Sequence, residues 1–399
     1  MPMRPCWVEI RTHSLEDNYR FLQSLAPSAE LLAIVKADAY GHSLALCAPA
    51  AVRAGARWLG VTSVEEGVAA RKVCSQARIL VIGGVFPGQG LAVVEHCLTP
   101  SVWELGQLDE LEAAARVGGF PVGSLPVHLE IDTGMSRQGV SLEILGVVLK
   151  RFGADSPLRI EGMMTHLYAS DEADGAATEA QLKRLDQAMG KITEALPAAA
   201  VRPEWLSVGA TAALLGGDAD AISVLAGRWG MRAMLRPGLA LYGVAPRFDP
   251  PFEPGREPAA LAAAHSNLHP VLSWKTRVVS VRAVSAGTDV GYNGTFVATE
   301  PMRLALLAVG YADGLDRRLG NCFSLLVRGQ RAPIIGRISM DQTVIDITEI
   351  PEVEAGEEVV ILGSQGGESI TAFDHAQVAG TISWEVFTRI APRVQRVEV

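Results

Sequence analysis

What the sequence lacks narrows its class before any motif is read. It has no basic surplus: 35 Lys and Arg stand against 44 Asp and Glu, a formal charge of −9. A nucleic-acid binder needs a basic patch, so nucleic acid is not an expected partner. Mild acidity mainly favours solubility and identifies no substrate. Cysteine is scarce. Cys6, Cys47, Cys74, Cys97 and Cys322 form an odd, scattered set with no close pair. That argues for a reducing compartment over a disulfide framework. None has a metal-ligand spacing, so no metal is expected and the thiols read as ordinary, partly buried side chains. No apolar run is long enough for a signal peptide or a membrane span, because Met1-Pro2-Met3-Arg4-Pro5-Cys6 leads straight into Trp7-Val8-Glu9-Ile10. The cytoplasm is the expected location, with no membrane partner. No internal repeat is evident. What is present is a chain of 399 residues, 49% hydrophobic and 20% charged. That is the composition of a globular enzyme, long enough for two domains.

Residues 1–245 alternate between two textures. Short apolar runs of strand length recur at Leu31 to Val35, Trp58 to Thr62, Arg78 to Ile82, His96 to Ser101, Val127 to Ile131, Ile160 to Thr165, Leu206 to Gly209 and Leu239 to Tyr242. Helix-like stretches lie between them, such as Val64 to Val73, Glu104 to Val117, Leu142 to Phe152 and Thr178 to Ala195. Ser63 and Glu66 make a capping-box pattern at the first of these. Near-continuous apolar strands, each followed by a helix, indicate parallel strands buried on both faces. A doubly wound sheet shows the same alternation; the count of eight favours a (β/α)8 TIM-type barrel. Residues 246–270 are rich in Pro and Ala and read as a linker or surface loop. Residues 271–399 show strand-like runs and turns with little helical pattern, a smaller mainly-β domain. Residues 1–11 are available to pair with that domain.

In a barrel, chemistry sits at the C-terminal ends of the strands. Leu31 to Val35 ends in Lys36-Ala37-Asp38-Ala39-Tyr40-Gly41-His42. A lysine after an apolar run is desolvated on its strand side, which favours the neutral amine that a Schiff base requires. An isolated strand-end lysine more often snorkels to water. Its surroundings shift the balance. The segment Ile34 to His42 resembles the pyridoxal-phosphate (PLP) attachment signature of the alanine racemase family. Five further segments match in the family's order: Asp132 to Arg137, Met164 to His166, Arg236 to Gly243, Gly310 to Gly314 and Gly336 to Gln342. One short motif is weak evidence; six in order over nearly the whole chain are not.

The resemblance implies a PLP-binding barrel plus a β-domain, acting as a homodimer with shared sites. Lys36 would hold PLP as a Schiff base and serve as one acid/base catalyst. Tyr292, from the partner subunit, would serve the opposite face of the α-carbon, since racemisation needs one base on each face. On sequence alone Tyr292 reads equally well as a core tyrosine. Arg236, taken to open the eighth strand, would bond the pyridine nitrogen and, as an always-charged donor, keep it unprotonated. Tyr40, Thr211, Gly238 and Leu239 would hold the phosphate, and His166 would pack on the ring. Arg137 would contact the substrate carboxylate or the cofactor's phenolic oxygen, and Met340, from the partner subunit, would offer its backbone N–H to the substrate carboxylate. Tyr311, Asp341 and Trp384 would shape the entry and pocket. Asp313 and Asp341 otherwise read as solvated turn acids.

Three positions depart from the family pattern. Glu130 stands where many members carry a carbamylated lysine, and its carboxylate would orient Arg137 directly. Ala210-Thr211 replaces Asn-Ser, keeping the hydroxyl and losing the amide. Trp384 replaces a tyrosine, which leaves the substrate side chain open between alanine and serine or a broader set. The expected activity is interconversion of L- and D-alanine, supplying D-alanine for peptidoglycan. Rival readings are a barrel-type PLP decarboxylase and a non-catalytic PLP-binding protein. The Gly310 to Gly314 and Gly336 to Gln342 segments argue against the first, and the β-domain with Tyr292 against the second.

Overall fold

The computed structural model describes residues 4–196 and 202–399. The chain divides into two compact units. One comprises His13–Ala39 and Cys47–His269; the other comprises the N-terminal segment through Thr12, then Tyr40–Leu46 and Pro270–Val399.

After β1 (Cys6–Ile10), which belongs to the second unit, eight parallel strands close into a barrel in chain order. They are β2 (Glu30–Ile34), β3 (Trp58–Val61), β4 (Arg78–Val81), β5 (Thr99–Val102), β6 (Leu125–Glu130), β7 (Leu158–Met164), β8 (Trp205–Ala210) and β9 (Arg232–Arg236). Every residue of β2, β3 and β5 is buried. Side chains fill the barrel on one face and meet helices on the other, so the strands read as continuous apolar runs rather than alternating ones. At the strands' N-terminal ends, Arg78 pairs with Glu161 and stacks 3.9 Å from the Trp58 ring centroid. Those contacts serve stability; the opposite rim is the one barrels use for chemistry.

The eighth strand differs from the sequence reading. The apolar Leu239–Tyr242 is a fully buried 3-10 turn, and the strand is Arg232–Arg236. Arginines at both ends hid the strand's apolar centre. Pro237, lacking an N–H, and Gly238 end the extended backbone. Arg236 therefore closes the eighth strand instead of opening it, which places it on the C-terminal rim. Within the stretch read as linker, Ala259–Asn267 is helical, as its alanine content favours.

The second unit is a nine-stranded sheet. β1 lies between β10 (Leu272–Val284), antiparallel, and β19 (Gln395–Glu398), parallel. The described part of the N-terminal segment thus pairs inside the β-unit. Between β10 and β19 come β11 (Asp289–Val290) and β12 (Phe296–Val297), a small hairpin, and β13 (Met302–Leu307), which pairs with β10. Then follow β14 (Ser324–Val327), β15 (Gln330–Pro333), β16 (Thr343–Asp346), β17 (Glu358–Gln365) and β18 (Glu368–Ile370). Helices Ala372–Ala379 and Ser383–Thr388 complete the unit. Gly41 is wedged in it: a Cβ there would lie 2.4 Å from the Phe387 carbonyl oxygen, and its φ of +77° lies where glycine is favoured. Among the described residues, no helix is long and apolar enough to cross a membrane, and no group of three or more His, Cys, Asp or Glu is placed to hold a metal.

Candidate active site

Five barrel strands, β2, β6, β7, β8 and β9, bring their C-terminal ends to one group of side chains. Lys36 follows β2. Burial lowers its pKa, and the positive charges of Arg137 and Arg236 lower it further, against the opposing pull of Glu66. The next four residues hold left-handed backbone, with φ of 52° at Ala37, 51° at Asp38, 56° at Ala39 and 54° at Tyr40. Each non-glycine residue in that conformation costs roughly 1–2 kcal/mol. Strain of this kind persists only where surrounding structure imposes it, typically at functional sites. Burial pushes the Tyr40 phenol up to about 12, so it remains a protonated donor.

Arg236 is buried at the end of β9. Its Nη1 donates to Ser207 Oγ at 2.9 Å, and its Nη2 donates to the Thr165 carbonyl at 2.8 Å and to His166 Nδ1 at 3.0 Å. Burial draws the guanidinium down to about 10, still charged near neutrality. His166, two residues past β7, is pulled to about 3 by burial and by the charges of Arg236, Arg137 and Lys36. It is therefore neutral, and Nδ1 accepting from Arg236 places its proton on Nε2. Gln181 fixes this segment, donating to the His166 carbonyl at 3.0 Å and to Thr133 Oγ1 at 2.9 Å. Thr211 opens the short helix after β8, and its Oγ1 accepts from the Gly238 N–H at 3.0 Å. Thr211 and the turn at Gly238, two of the segments expected from sequence to hold the phosphate, thus touch each other.

Glu130 ends β6, but its partner is not the expected one. The chain after β6 folds back, with Val140 N donating to the Glu130 carbonyl at 2.8 Å. That return carries Gln138 over Glu130, and Gln138 Nε2 donates to Glu130 Oε2 at 2.6 Å. Arg137 is exposed and forms no ion pair among the described residues; Glu130 acts on it only through space. Direct orientation of Arg137 by Glu130 is therefore corrected to a Glu130–Gln138 contact. Burial pushes the Glu130 carboxyl above its usual range, partly offset by Gln138, Arg236 and Arg137. A carboxyl with a raised folded-state pKa costs stability when ionised. The cost is absent below the unfolded value of about 4.3 and complete above the raised one. Glu130→Gln is expected to match the parent's Tm in acid and exceed it near neutrality, while the reaction rate falls because Arg137 and Arg236 lose their anion. Thermal unfolding across pH, with initial rates, checks both.

The second unit holds the other candidates. Tyr292 lies in the loop joining β11 to β12 and is 66% exposed. Tyr311 and Met340 are also exposed, on adjacent turns. These turns are bonded together: Tyr311 N donates to the Ser339 carbonyl and Ala312 N to the Met340 carbonyl, both at 3.0 Å. Gly310 permits the approach, since a Cβ there would lie 2.3 Å from the Ser339 oxygen. Asp313 is not the solvated turn acid expected. It is fully buried, accepting from Arg4, from Arg393 Nε at 2.8 Å and from Gly310 N at 2.9 Å. Arg393 Nη2 also reaches Asp341 Oδ1 at 2.8 Å. Arg4 and Arg393 were not apparent from sequence. Arg393→Ala leaves Asp313 one cation. Because Arg393 is partly exposed and Arg4 remains, the expected loss is about 1–2 kcal/mol, read from the midpoint of urea unfolding. Trp384 is half-buried on Ser383–Thr388.

A closed barrel whose C-terminal rim combines a desolvated lysine, a buried charged arginine and a neutral histidine defines a barrel enzyme built for amine chemistry. Comparison with known proteins carries this further. Residues 10–246 match the alanine racemase N-terminal domain, and residues 271–398 the alanine racemase C-terminal domain. Over 396 residues the chain is 37% identical to the alanine racemase of Symbiobacterium thermophilum, covering 99% of this chain and 97% of that one. The alanine racemase of Streptomyces lavendulae is similar in structure, with a TM-score of 0.87 at 32% identity over 100% of this chain and 98% of that one. That of Bartonella henselae, solved with covalently bound pyridoxal phosphate, has a TM-score of 0.80 at 24% identity over 99% of each chain. The chain belongs to the alanine racemase family and is an isomerase.

Proposed function

We propose that this protein interconverts L- and D-alanine by two-base proton transfer with PLP attached to Lys36, as a cytoplasmic homodimer supplying D-alanine for peptidoglycan. The observation that carries the reading is Lys36 itself, placed at the barrel rim after β2 with its pKa lowered by burial and by Arg137 and Arg236. The donor set fits the cofactor. Lys36 offers the amine, Arg236 a charged donor for the pyridine nitrogen, and His166 a neutral ring to pack against. Tyr40 and Thr211 offer hydroxyl donors and Leu239 a backbone donor for the phosphate, while the Gly238 N–H holds the Thr211 oxygen in place. Ser207, Thr165 and His166 engage both Nη atoms of Arg236, which leaves Nε to donate.

When bound, PLP withdraws electrons from the substrate's α-carbon and so makes its proton removable. The Lys36 amine takes or returns that proton on one face, and the Tyr292 hydroxyl serves the other. Arg236, charged at neutral pH, gives the pyridine nitrogen no proton to accept beyond a hydrogen bond, which tempers the electron sink and restrains transamination. Arg137 and the Met340 N–H hold the substrate carboxylate. Exposure of Tyr292, Tyr311 and Met340 on one unit supports a partner subunit as their cover.

Incubation of the purified protein with PLP and a panel of L-amino acids in deuterated water tests this. Inversion with α-deuterium in alanine is the expected result. Serine belongs in the panel because Trp384 departs from the tyrosine of the family pattern. Carbon dioxide release would favour a decarboxylase, and absence of exchange with every substrate would remove the racemase reading.

A further inference from the structure

Ser63 and Glu66 form only half of a capping box. Ser63 Oγ caps the Val64–Val73 helix, accepting from the Glu66 N–H at 3.3 Å. The Glu66 carboxylate does not return to Ser63. Its Oε2 accepts from Thr62 N at 2.7 Å and its Oε1 from Ala37 N at 2.7 Å. One carboxylate therefore ties the end of β3 to the amide that follows Lys36. That amide begins the left-handed run from Ala37 to Tyr40. An N–H there has no ladder partner, because the strand has ended. The bond fixes the peptide plane on the C-terminal side of Lys36, and with it the direction of the Lys36 Cα–Cβ bond. A charged acceptor makes each bond stronger than a neutral one. The same carboxylate is the negative charge that acts on Lys36 against Arg137 and Arg236.

We infer that Glu66 is a positioning residue for Lys36, holding the strained turn so that the lysine amine is presented to the PLP aldehyde. The inference rests on the reading of Lys36 as the attachment point. Glu66→Gln is nearly isosteric and keeps one acceptor oxygen; Glu66→Ala removes both; Glu66→Asp keeps the charge but falls a methylene short of two amides. Each variant is prepared as apoenzyme and mixed with PLP. Covalent attachment is followed by absorbance, fixed with borohydride and mapped by peptide mass. The expected result is a label on Lys36 throughout and attachment slowed roughly tenfold in Glu66→Gln, an effect of the size of one hydrogen bond to a charged group. Glu66→Ala and Glu66→Asp should be slower still. In the holoenzymes, kcat should fall with little change in KM. Unchanged attachment rates with a lowered Tm would make Glu66 merely structural and overturn the inference alone. A parent-enzyme label on a different lysine would overturn the Lys36 reading and the inference with it.

Discussion

Replacing Lys36 by arginine is expected to end racemisation, lowering kcat by about 10⁴-fold or more, since both a nucleophile and an acid/base group are lost. Arginine keeps the length and charge but is not deprotonated in proteins. It can neither form the covalent link nor take a proton. The substitution leaves the barrel intact, because Lys36 stands at the end of β2, half-buried, beyond the last ladder bond of the strand. The parent lysine is unusual in the opposite direction: burial and the nearby arginines already favour its neutral form. Borohydride reduction with PLP should add the cofactor's mass to the parent protein and nothing to the variant. Retained racemisation in Lys36→Arg would place the chemistry elsewhere.

Tyr292→Phe is the second large effect, an expected loss of roughly 10²–10⁴ in kcat, the range for one acid/base group. It removes a single hydroxyl from a residue that is 66% exposed, so folding and PLP attachment should be unaffected. The loss should be lopsided. Lys36 still works one face of the α-carbon, so one enantiomer of alanine should exchange its α-hydrogen with deuterated solvent while inversion nearly stops. Equal suppression of exchange in both enantiomers would argue against separate bases.

The barrel was legible because parallel strands buried on both faces leave long apolar signatures, as in Leu31 to Val35 and Trp58 to Thr62. Its eighth strand was not, because Arg232 and Arg236 flank it while the neighbouring apolar stretch is a buried turn. The lysine, arginine and histidine of the rim were found through motifs, which encode contiguous backbone. The residues that hold them were missed because they arrive by tertiary folding. Gln138 meets Glu130 only when the loop returns along β6, and Gln181 reaches His166 from a helix. Arg4 meets Asp313 across 309 residues of sequence. Glu66 was noticed as a capping residue, but nothing local shows that its carboxylate turns toward Ala37.

The central claim is that Lys36 and Tyr292 form one site across two subunits. Complementation tests it most directly. Lys36→Arg and Tyr292→Phe chains, each nearly inactive alone, are co-expressed with different tags, and the mixed dimer is purified through both. In a two-fold dimer, one of its two sites then carries both intact residues. The account predicts about half the parent activity per mixed dimer, or roughly a quarter in an unfractionated random mixture. A mixed dimer as inactive as its parents would contradict it, since the two groups would then have to act from the same chain.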